Sequence, residues 1–281
     1  MTGLHDQSVN VYGIEFAIEP SQHDDATDDS GLVAVVRLGS NPSPDRTYFH
    51  MSPTEAQVHL PGGSVRIRNQ RPYLVDLDIV QEVTLDGLVH PYLAFPAAVI
   101  HHWEGRHVLH AGAFDVAGRS IVVMAESDGG KSTTIAAALA AGYPARSDDV
   151  VIVDGRTVLG GAPLIDLRTA SGQILGGQNI GKVGARERWR INTAEMTQPC
   201  PIGMFVRLEW GDAVAVERLG VADLLGALHE FSALGAPALV EADPMHILDL
   251  LDLPFVRATR PRDHERLPEI IALLTETLRT S

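Results

Sequence analysis

The sequence has a single cysteine, Cys200, among its 281 residues. One cysteine cannot form a disulfide within the chain, which excludes the disulfide-stapled class of small secreted domains and favours a reducing compartment. The N-terminal stretch MTGLHDQSVN has neither the basic nor the apolar region of a signal peptide. No apolar run approaches the roughly 20 residues of a membrane-spanning helix. We therefore expect a cytoplasmic protein with no membrane partner.

Positive charge is also scarce, because 22 Lys and Arg residues face 36 Asp and Glu residues and the net charge is −14. Nucleic acids and anionic membranes require basic faces, so this charge opposes both kinds of partner. Only two of the basic residues are lysines, Lys131 and Lys182. A lysine inside a glycine turn therefore stands out in a chain that otherwise uses arginine.

The pattern along the chain predicts two domains. From Gly31 to about Val83, short alternating apolar runs are broken by Gly, Pro and Asn, which is typical of strands. We assign residues 1–95 to a small β-rich N-terminal domain, with the acidic segment SQHDDATDDSG as a loop. Residues 96–281 alternate strand and helix patterns and form the second domain, so the fold class is α/β.

Within the second domain, the element pattern is specific. Two strands are predicted around the Ala117-Gly118 turn, and the alanine-rich KSTTIAAALAAGY predicts a helix that ends at Gly142. DDVVIVDGRTVLG predicts a hairpin, and PIGMFVRLEW and PFVRATRP predict strands. DPMHILDLLDL and the amphipathic C-terminal segment from Arg262 predict helices.

A glycine-rich turn between a predicted strand and a predicted helix resembles a phosphate-binding loop. The usual pattern is G-x-x-x-x-G-K-[ST], and the chain has it from Ala125 onward, with alanine in place of the first glycine. Glycines permit close approach of backbone N–H groups to phosphate, and the helix N-terminus adds partial positive charge. The predicted nucleotide-binding residues are Ser127, Asp128, Gly129, Gly130, Lys131, Ser132 and Thr133.

Two adjacent carboxylates, Asp148 and Asp149, stand directly before an apolar strand. Most phosphate-loop proteins instead carry the metal-handling Asp at the end of a strand. Beside a phosphate loop, one carboxylate can hold Mg²⁺ through water while the other accepts a proton from an attacking hydroxyl. We predict that the pair is catalytic.

The stretch LHAGAFDVAGRSIVVMAESDGGKSTTIAAALAAGYPARSDDVVIV resembles the catalytic domain of HPr kinase/phosphorylase and its relatives, which include kinases of lasso-peptide clusters. The shared order is a His before a small residue, a strand hairpin, the loop, a helix ending in Gly, and Asp-Asp before a strand. LIDLR offers the acidic-x-Arg element of that family. The resemblance is strong across residues 109–153 and weaker over residues 100–281.

This resemblance implies a phosphoenolpyruvate-carboxykinase-like P-loop kinase domain with a mixed sheet. It also implies ATP and Mg²⁺ as cofactors and a serine hydroxyl of a peptide or protein as the acceptor. A natural-product precursor peptide would be one such acceptor. The implied catalytic residues are Asp148, Asp149, His110 and Arg168, and the implied metal ligands are Ser132, Asp149 and Asp166.

Several alternatives stay open from the sequence. The acceptor can instead be a small metabolite, or the chain can be a nucleotide-binding regulatory protein without catalysis. The basic group of Lys182, Arg186, Arg188 and Arg190 can close over a phosphate or can be a solvated loop. A zinc site at the histidines of HHWEGRHVLH is disfavoured because no helical ligand spacing is present. Homo-oligomer formation also stays open.

Overall fold

The computed structural model describes residues 4, 6–18, 31–40, 48–60, 63–79, 82–183, 186–235 and 247–281. The chain divides into two compact units, one of residues 1–104 with 182–186 and one of residues 105–181 with 187–281. The predicted domain boundary after residue 95 lies inside a helix of the first unit, Ala94–Trp103. Within the described part of the chain, no helix has the length and apolarity that a membrane span requires.

The first unit contains a seven-stranded sheet in which β2-β3 and β3-β7 are parallel. Its order is β1-β2-β3-β7-β6-β5-β4. The sequence pattern missed the first two strands, although their apolar residues alternate as strands require. The predicted acidic loop lies, apart from its last residue, outside the described residues. The strands are β1 (Gln7–Val11), β2 (Ile14–Ile18), β3 (Leu32–Gly39), β4 (Tyr48–Met51), β5 (Glu55–Leu60), β6 (Gly63–Arg68) and β7 (Tyr73–Ile79).

Helical segments close the first unit. A short turn, α1 (Leu85–Gly87), is capped by the Thr84 hydroxyl, which accepts a hydrogen bond from the Gly87 N–H group. A π-helical turn at Leu88–Tyr92 leads into α2 (Ala94–Trp103). Nearly all of α2 is buried, as expected for an apolar segment that was predicted as a helix or a buried connector.

The second unit is built on a nine-stranded sheet with the order β11-β9-β10-β17-β13-β12-β8, in which β19 also pairs with β17 and β18 pairs with β19. The pairs β10-β17 and β17-β19 are parallel and the others are antiparallel, so the predicted mixed α/β class is confirmed. The strands are β8 (His107–Leu109), β9 (Ala111–Val116), β10 (Arg119–Met124), β11 (Ala145–Ser147), β12 (Val151–Asp154), β13 (Thr157–Val158), β17 (Cys200–Trp210), β18 (Ala215–Arg218) and β19 (Phe255–Arg260).

A three-stranded sheet of order β14-β16-β15 accompanies it, from β14 (Leu164–Leu167), β15 (Gln178–Val183) and β16 (Arg186–Asn192). The β9-β10 hairpin turns at Ala117 and Gly118, both with positive φ, as the sequence predicted. The predicted hairpin of β12 and β13 is also confirmed.

Helices cover both faces of the large sheet. Alternate residues of β10 enter different cores: Val123 packs with α3 (Lys131–Ala140) and α6 (Leu267–Arg279), whereas Val122 packs with α5 (Val221–Glu230). A short α4 (Thr169–Leu175) follows β14. The helix predicted at residues 243–253 falls partly outside the described residues.

The sheet topology positions the site. The parallel strands β10, β17 and β19 end at the same edge, with Met124 opposite Arg207 and Trp210 opposite Arg260. The loop of residues 125–130 follows β10 directly and leads into α3. Ligands of α/β proteins bind outside the carboxyl ends of parallel strands, so we expect a binding site at this edge.

Candidate functional site

The 125–130 loop has the tight backbone that its glycines permit. Asp128 and Gly130 have φ values of 64° and 85°, and the Gly129 N–H group donates to the Glu126 carbonyl at 2.9 Å. A Cβ on Gly129 would lie 2.8 Å from the Cβ of Ala125, and one on Gly130 would lie 2.2 Å from the Arg260 side chain. Close packing therefore requires glycine at both positions, and the positive φ of Gly130 adds a second requirement there.

The residue in place of the first glycine, Ala125, belongs to the core. It is fully buried and its φ is not positive. Glycine geometry is therefore not needed at this position, and the methyl group fills space beside Gly129. The departure from the usual pattern is compatible with the loop.

The loop ends at the open N-terminus of α3. Gly130 is the N-cap and has no side chain to accept from the first-turn N–H groups. Such N–H groups, together with the helix dipole, form a binding site for anions. Lys131, which is only 7% exposed, begins this helix and adds a full positive charge.

Lys131, His110 and Asp149 form a connected chain. The Lys131 Nζ atom lies 3.0 Å from His110 Nε2, and His110 Nδ1 lies 3.3 Å from Asp149 Oδ1 and 3.1 Å from the Asp149 carbonyl oxygen. An ammonium group can only donate, so Nε2 accepts and the Nδ1–H group faces Asp149. The structure thus brings together three of the predicted site residues.

Asp148 is buried beside them, at 5% exposure. Its Oδ2 atom accepts from the Asp166 N–H group at 3.3 Å, while Oδ1 is buried without a hydrogen-bond partner among the described residues. Burial, followed by the charge of Asp149, raises the pKa of the carboxyl group to about 7, although the Ser132 hydroxyl, Lys131 and the Asp166 N–H group oppose this shift. Asp148 therefore changes charge near neutral pH.

Asp149 adopts left-handed backbone geometry, with φ of 71°. Asp is one of the few residues with a side chain that visits this region, although usually at some cost in energy. The Val150 N–H group donates to the Asp148 carbonyl at 2.9 Å and closes the turn before β12. This turn directs the two adjacent carboxylates into different surroundings, one buried and one partly exposed.

The predicted role of Asp166 as a metal ligand is corrected by the structure, because its carboxylate pairs with two arginines. Arg190 donates to both oxygens, at 2.8 and 2.9 Å, and Arg188 donates to Oδ2 at 3.0 Å. All three side chains are almost completely buried. As placed here, Asp166 is an ion-pair partner of two guanidinium groups rather than a ligand open to Mg²⁺. Neither Arg188 nor Arg190 belongs to a solvated loop, and neither is poised to close over a phosphate.

Arg168, predicted to be catalytic, lies at the exposed rim of the loop and forms an ion pair with Asp128. This pairing partly neutralises a carboxylate that would otherwise repel a bound anion.

The first turn of α3 also contacts α4. The Thr133 hydroxyl donates to Ser171 Oγ at 3.0 Å, and Ser171 Oγ lies 3.1 Å from His264 Nε2. These contacts tie α4 to the first turn of α3 and to the segment that precedes α6.

The residues fit a magnesium ion that binds together with polyphosphate. Mg²⁺ prefers oxygen ligands and usually takes one or two carboxylates plus substrate phosphates. Ser132 and Asp149, which both interact with Asp148, supply such oxygens beside the loop. Over the described ranges, no group of three or more His, Cys, Asp or Glu side chains is arranged to hold a metal without other ligands.

The sequence patterns missed Trp210 and Arg260. Arg260 Nη2 approaches the Gly130 carbonyl oxygen at 3.4 Å, and the guanidinium group lies 4.4 Å from the centre of the Trp210 ring. Trp210 also lines a cavity of about 260 Å³, which is bounded by the loop and by the end of β17. In the sequence, both residues mark only the ends of predicted strands. This position does not reveal that Arg260 contacts a loop residue 130 positions earlier.

No family model matches the sequence, and the curated proteins contain no match. Among solved structures, the chain is similar to the HPr(Ser) kinase/phosphatase from Coxiella burnetii, with 11% sequence identity and a TM-score of 0.29. The match covers 62% of this chain and 97% of the other. At this score and identity, the likeness indicates a remote structural relationship and no more.

Proposed function

We propose that the chain is an ATP-dependent kinase that transfers the γ-phosphate to a hydroxyl group. The observation that carries this proposal is the convergence of Lys131, His110, Asp148 and Asp149 at the glycine loop and the N-terminus of α3. This arrangement places a cation and open N–H groups for phosphate next to two carboxylates that can accept a proton.

The loop and Lys131 would hold the β- and γ-phosphates. Backbone N–H groups at the start of α3 provide directional donors, and the ammonium group provides a mobile point charge. In the ligand-free chain, Lys131 donates to His110. An ammonium group has three N–H donors, so we expect His110 to hold the lysine in place while the same group binds phosphate.

Mg²⁺, held by Ser132 and Asp149 together with the phosphates, would neutralise their charge. Asp148 is the proposed general base. A base is most effective when its pKa is close to the working pH, and burial brings the pKa of Asp148 to about 7. The ionised carboxylate takes the proton of the acceptor hydroxyl while that oxygen forms a bond to the γ-phosphorus. The bond from the γ-phosphorus to the bridging oxygen breaks, and ADP leaves with the electron pair.

The proposed acceptor is a serine of a peptide or protein, including a natural-product precursor peptide. This choice rests on the resemblance of residues 109–153 to HPr kinases. A small metabolite hydroxyl is the alternative acceptor. A cytoplasmic location stays a prediction, and homo-oligomer formation stays open.

The test is phosphate transfer from γ-labelled ATP to serine-containing peptide libraries and to a panel of hydroxyl metabolites, with Mg²⁺ titrated. We expect Asp148→Asn to lower transfer by about 10²–10⁴ at every Mg²⁺ concentration. Asp149→Asn should recover much of its loss at high Mg²⁺. Asp154→Asn, an exposed aspartate at the end of β12, is the matched control and should transfer at the parent rate.

Each negative result has a distinct meaning. A parent chain that binds ATP but phosphorylates no acceptor favours the nucleotide-binding regulatory protein instead. Unchanged transfer in both asparagine variants would remove the aspartate pair from catalysis. Recovery of Asp148→Asn at high Mg²⁺ would make that residue a metal ligand rather than the base.

A further inference from the structure

Arg260 is a buried cation without a carboxylate partner among the described residues. Its side chain contacts two carbonyl oxygens, those of Gly130 at 3.4 Å and Pro261 at 3.3 Å, and the ring of Trp210. Its Nε–H group is buried and has no hydrogen-bond acceptor within the part of the chain that the structure describes. Only 2% of the residue is exposed, and the lack of solvent lowers the pKa of Arg260 to about 10.

A buried guanidinium group in these surroundings lowers the stability of the folded, ligand-free chain. A buried charge is unfavourable unless it is paired, and a buried donor without an acceptor costs additional free energy. Other buried arginines of this unit are paired: Arg146 with Asp115, and Arg188 and Arg190 with Asp166. Arg260 therefore differs from its neighbours in a way that stability alone does not explain.

The position of Arg260 links it to the loop. A Cβ on Gly130 would lie 2.2 Å from Arg260 Nη2 and 2.9 Å from Trp210 Cη2, so these two side chains pack directly against the glycine. The Gly130 carbonyl also accepts from the Thr134 N–H group and hydroxyl at 2.9 and 3.0 Å. Arg260 thus reinforces the backbone that begins α3 and places positive charge behind it.

We propose that Arg260, held on Trp210, is a positioning residue that tunes the 125–130 loop for a polyphosphate ligand. The inference rests on the proposed function, because the negative charge that offsets Arg260 is the bound polyphosphate. The guanidinium group fixes the left-handed backbone conformation of Gly130. It also places a positive charge close to the anion site, in surroundings of low dielectric constant. Preorganised charge of this kind acts strongly in a desolvated site.

Arg262 provides a matched control. It stacks on the same indole ring, with its guanidinium carbon 4.9 Å from the ring centre, but it is exposed. Neutralising it removes the same charge from the same aromatic ring without a change behind Gly130. A larger loss of affinity in Arg260→Met than in Arg262→Met therefore reports the effect of the buried charge behind Gly130.

The experiment compares the parent, Arg260→Met, Arg260→Lys and Arg262→Met by calorimetric titration with MgATP and with tripolyphosphate, and by thermal unfolding without ligand. We expect Arg260→Met to lose roughly tenfold or more in affinity for both ligands. Arg260→Lys, which keeps the charge, should recover part of that affinity, and Arg262→Met should stay within about threefold of the parent. The unfolding temperature of ligand-free Arg260→Met should equal or exceed that of the parent, because an apolar side chain replaces an uncompensated charge.

Three results would overturn the inference. These are an unchanged affinity in Arg260→Met, an equal loss in Arg260→Lys and Arg260→Met, and a ligand-free Arg260→Met that unfolds at a lower temperature or does not fold. The last result would make Arg260 a structural residue. A parent chain that binds neither ATP nor tripolyphosphate would contradict the proposed function itself, and this inference with it.

Discussion

Replacing Asp148 by asparagine should change the pH dependence of stability. In the folded chain, burial raises the pKa of the carboxyl group from 3.8 to about 7. In the unfolded chain the group returns to its ordinary range. Between these two values the folded state keeps a proton that the unfolded state releases, so the contribution of Asp148 to stability falls as the pH rises from about 4 to about 7.

The size of the effect follows from the shift. Each pKa unit corresponds to about 1.4 kcal/mol, so the full window corresponds to roughly 4 kcal/mol, of which about 2–3 kcal/mol falls between pH 5 and pH 8. Asparagine cannot ionise and is nearly isosteric. The free energy of unfolding of Asp148→Asn should therefore rise relative to that of the parent by about this amount between the two pH values.

Urea unfolding of the ligand-free chains, followed by circular dichroism at pH 5 and pH 8, measures this difference. Asp154→Asn is the control, because it replaces an exposed aspartate on the strand that follows the pair, and it should track the parent at both pH values. An equal gap between parent and Asp148→Asn at pH 5 and pH 8 would refute the reasoning. Asp148→Asn, which should be more stable than the parent at pH 8, should also lose phosphate transfer.

The remaining predictions concern the loop, the buried ion pairs and the rate profile. Ala125→Gly should keep ATP affinity within about twofold and lose about 1–2 kcal/mol of unfolding free energy, because a buried methyl group is lost and backbone freedom is gained. Calorimetry and urea unfolding check both, and a folded variant without ATP binding would contradict this. Asp166→Asn should cost about 3–5 kcal/mol in urea unfolding, since Arg188 and Arg190 lose their charge partner; an unchanged stability would refute this. The acidic limb of kcat/KM should report a pKa of about 7 in the parent and be absent in Asp148→Asn; a limb that persists in the variant would exclude Asp148 as its source.

Local patterns predicted the elements around the loop well. The β9-β10 hairpin, the helix that starts at Lys131 and the strand Cys200–Trp210 were all indicated by turn residues and apolar runs. These features depend on neighbours in sequence. The first two strands were missed because polar and acidic residues around them dominated the local composition.

Long-range contacts could not be predicted in the same way. Asp166 was expected at a metal, but two arginines from β16 reach it through antiparallel pairing of β14 and β16. Arg260 reaches Gly130 because β19 lies two strands away from β10 in the same parallel set. Both cases depend on strand register, which the spacing of residues along the chain does not encode.

The central claim is that the loop and Lys131 bind the phosphates of a nucleotide, and calorimetric titration of MgATP into the parent and Lys131→Ala tests it most directly. The account predicts roughly a ten- to a hundredfold loss of affinity in the variant, the expected effect of losing a charge-assisted contact to phosphate. Lys131→Arg should recover little, because a planar guanidinium does not replace a point charge in a tight loop. Equal affinity of the parent and Lys131→Ala, or no binding by the folded parent, would contradict the account.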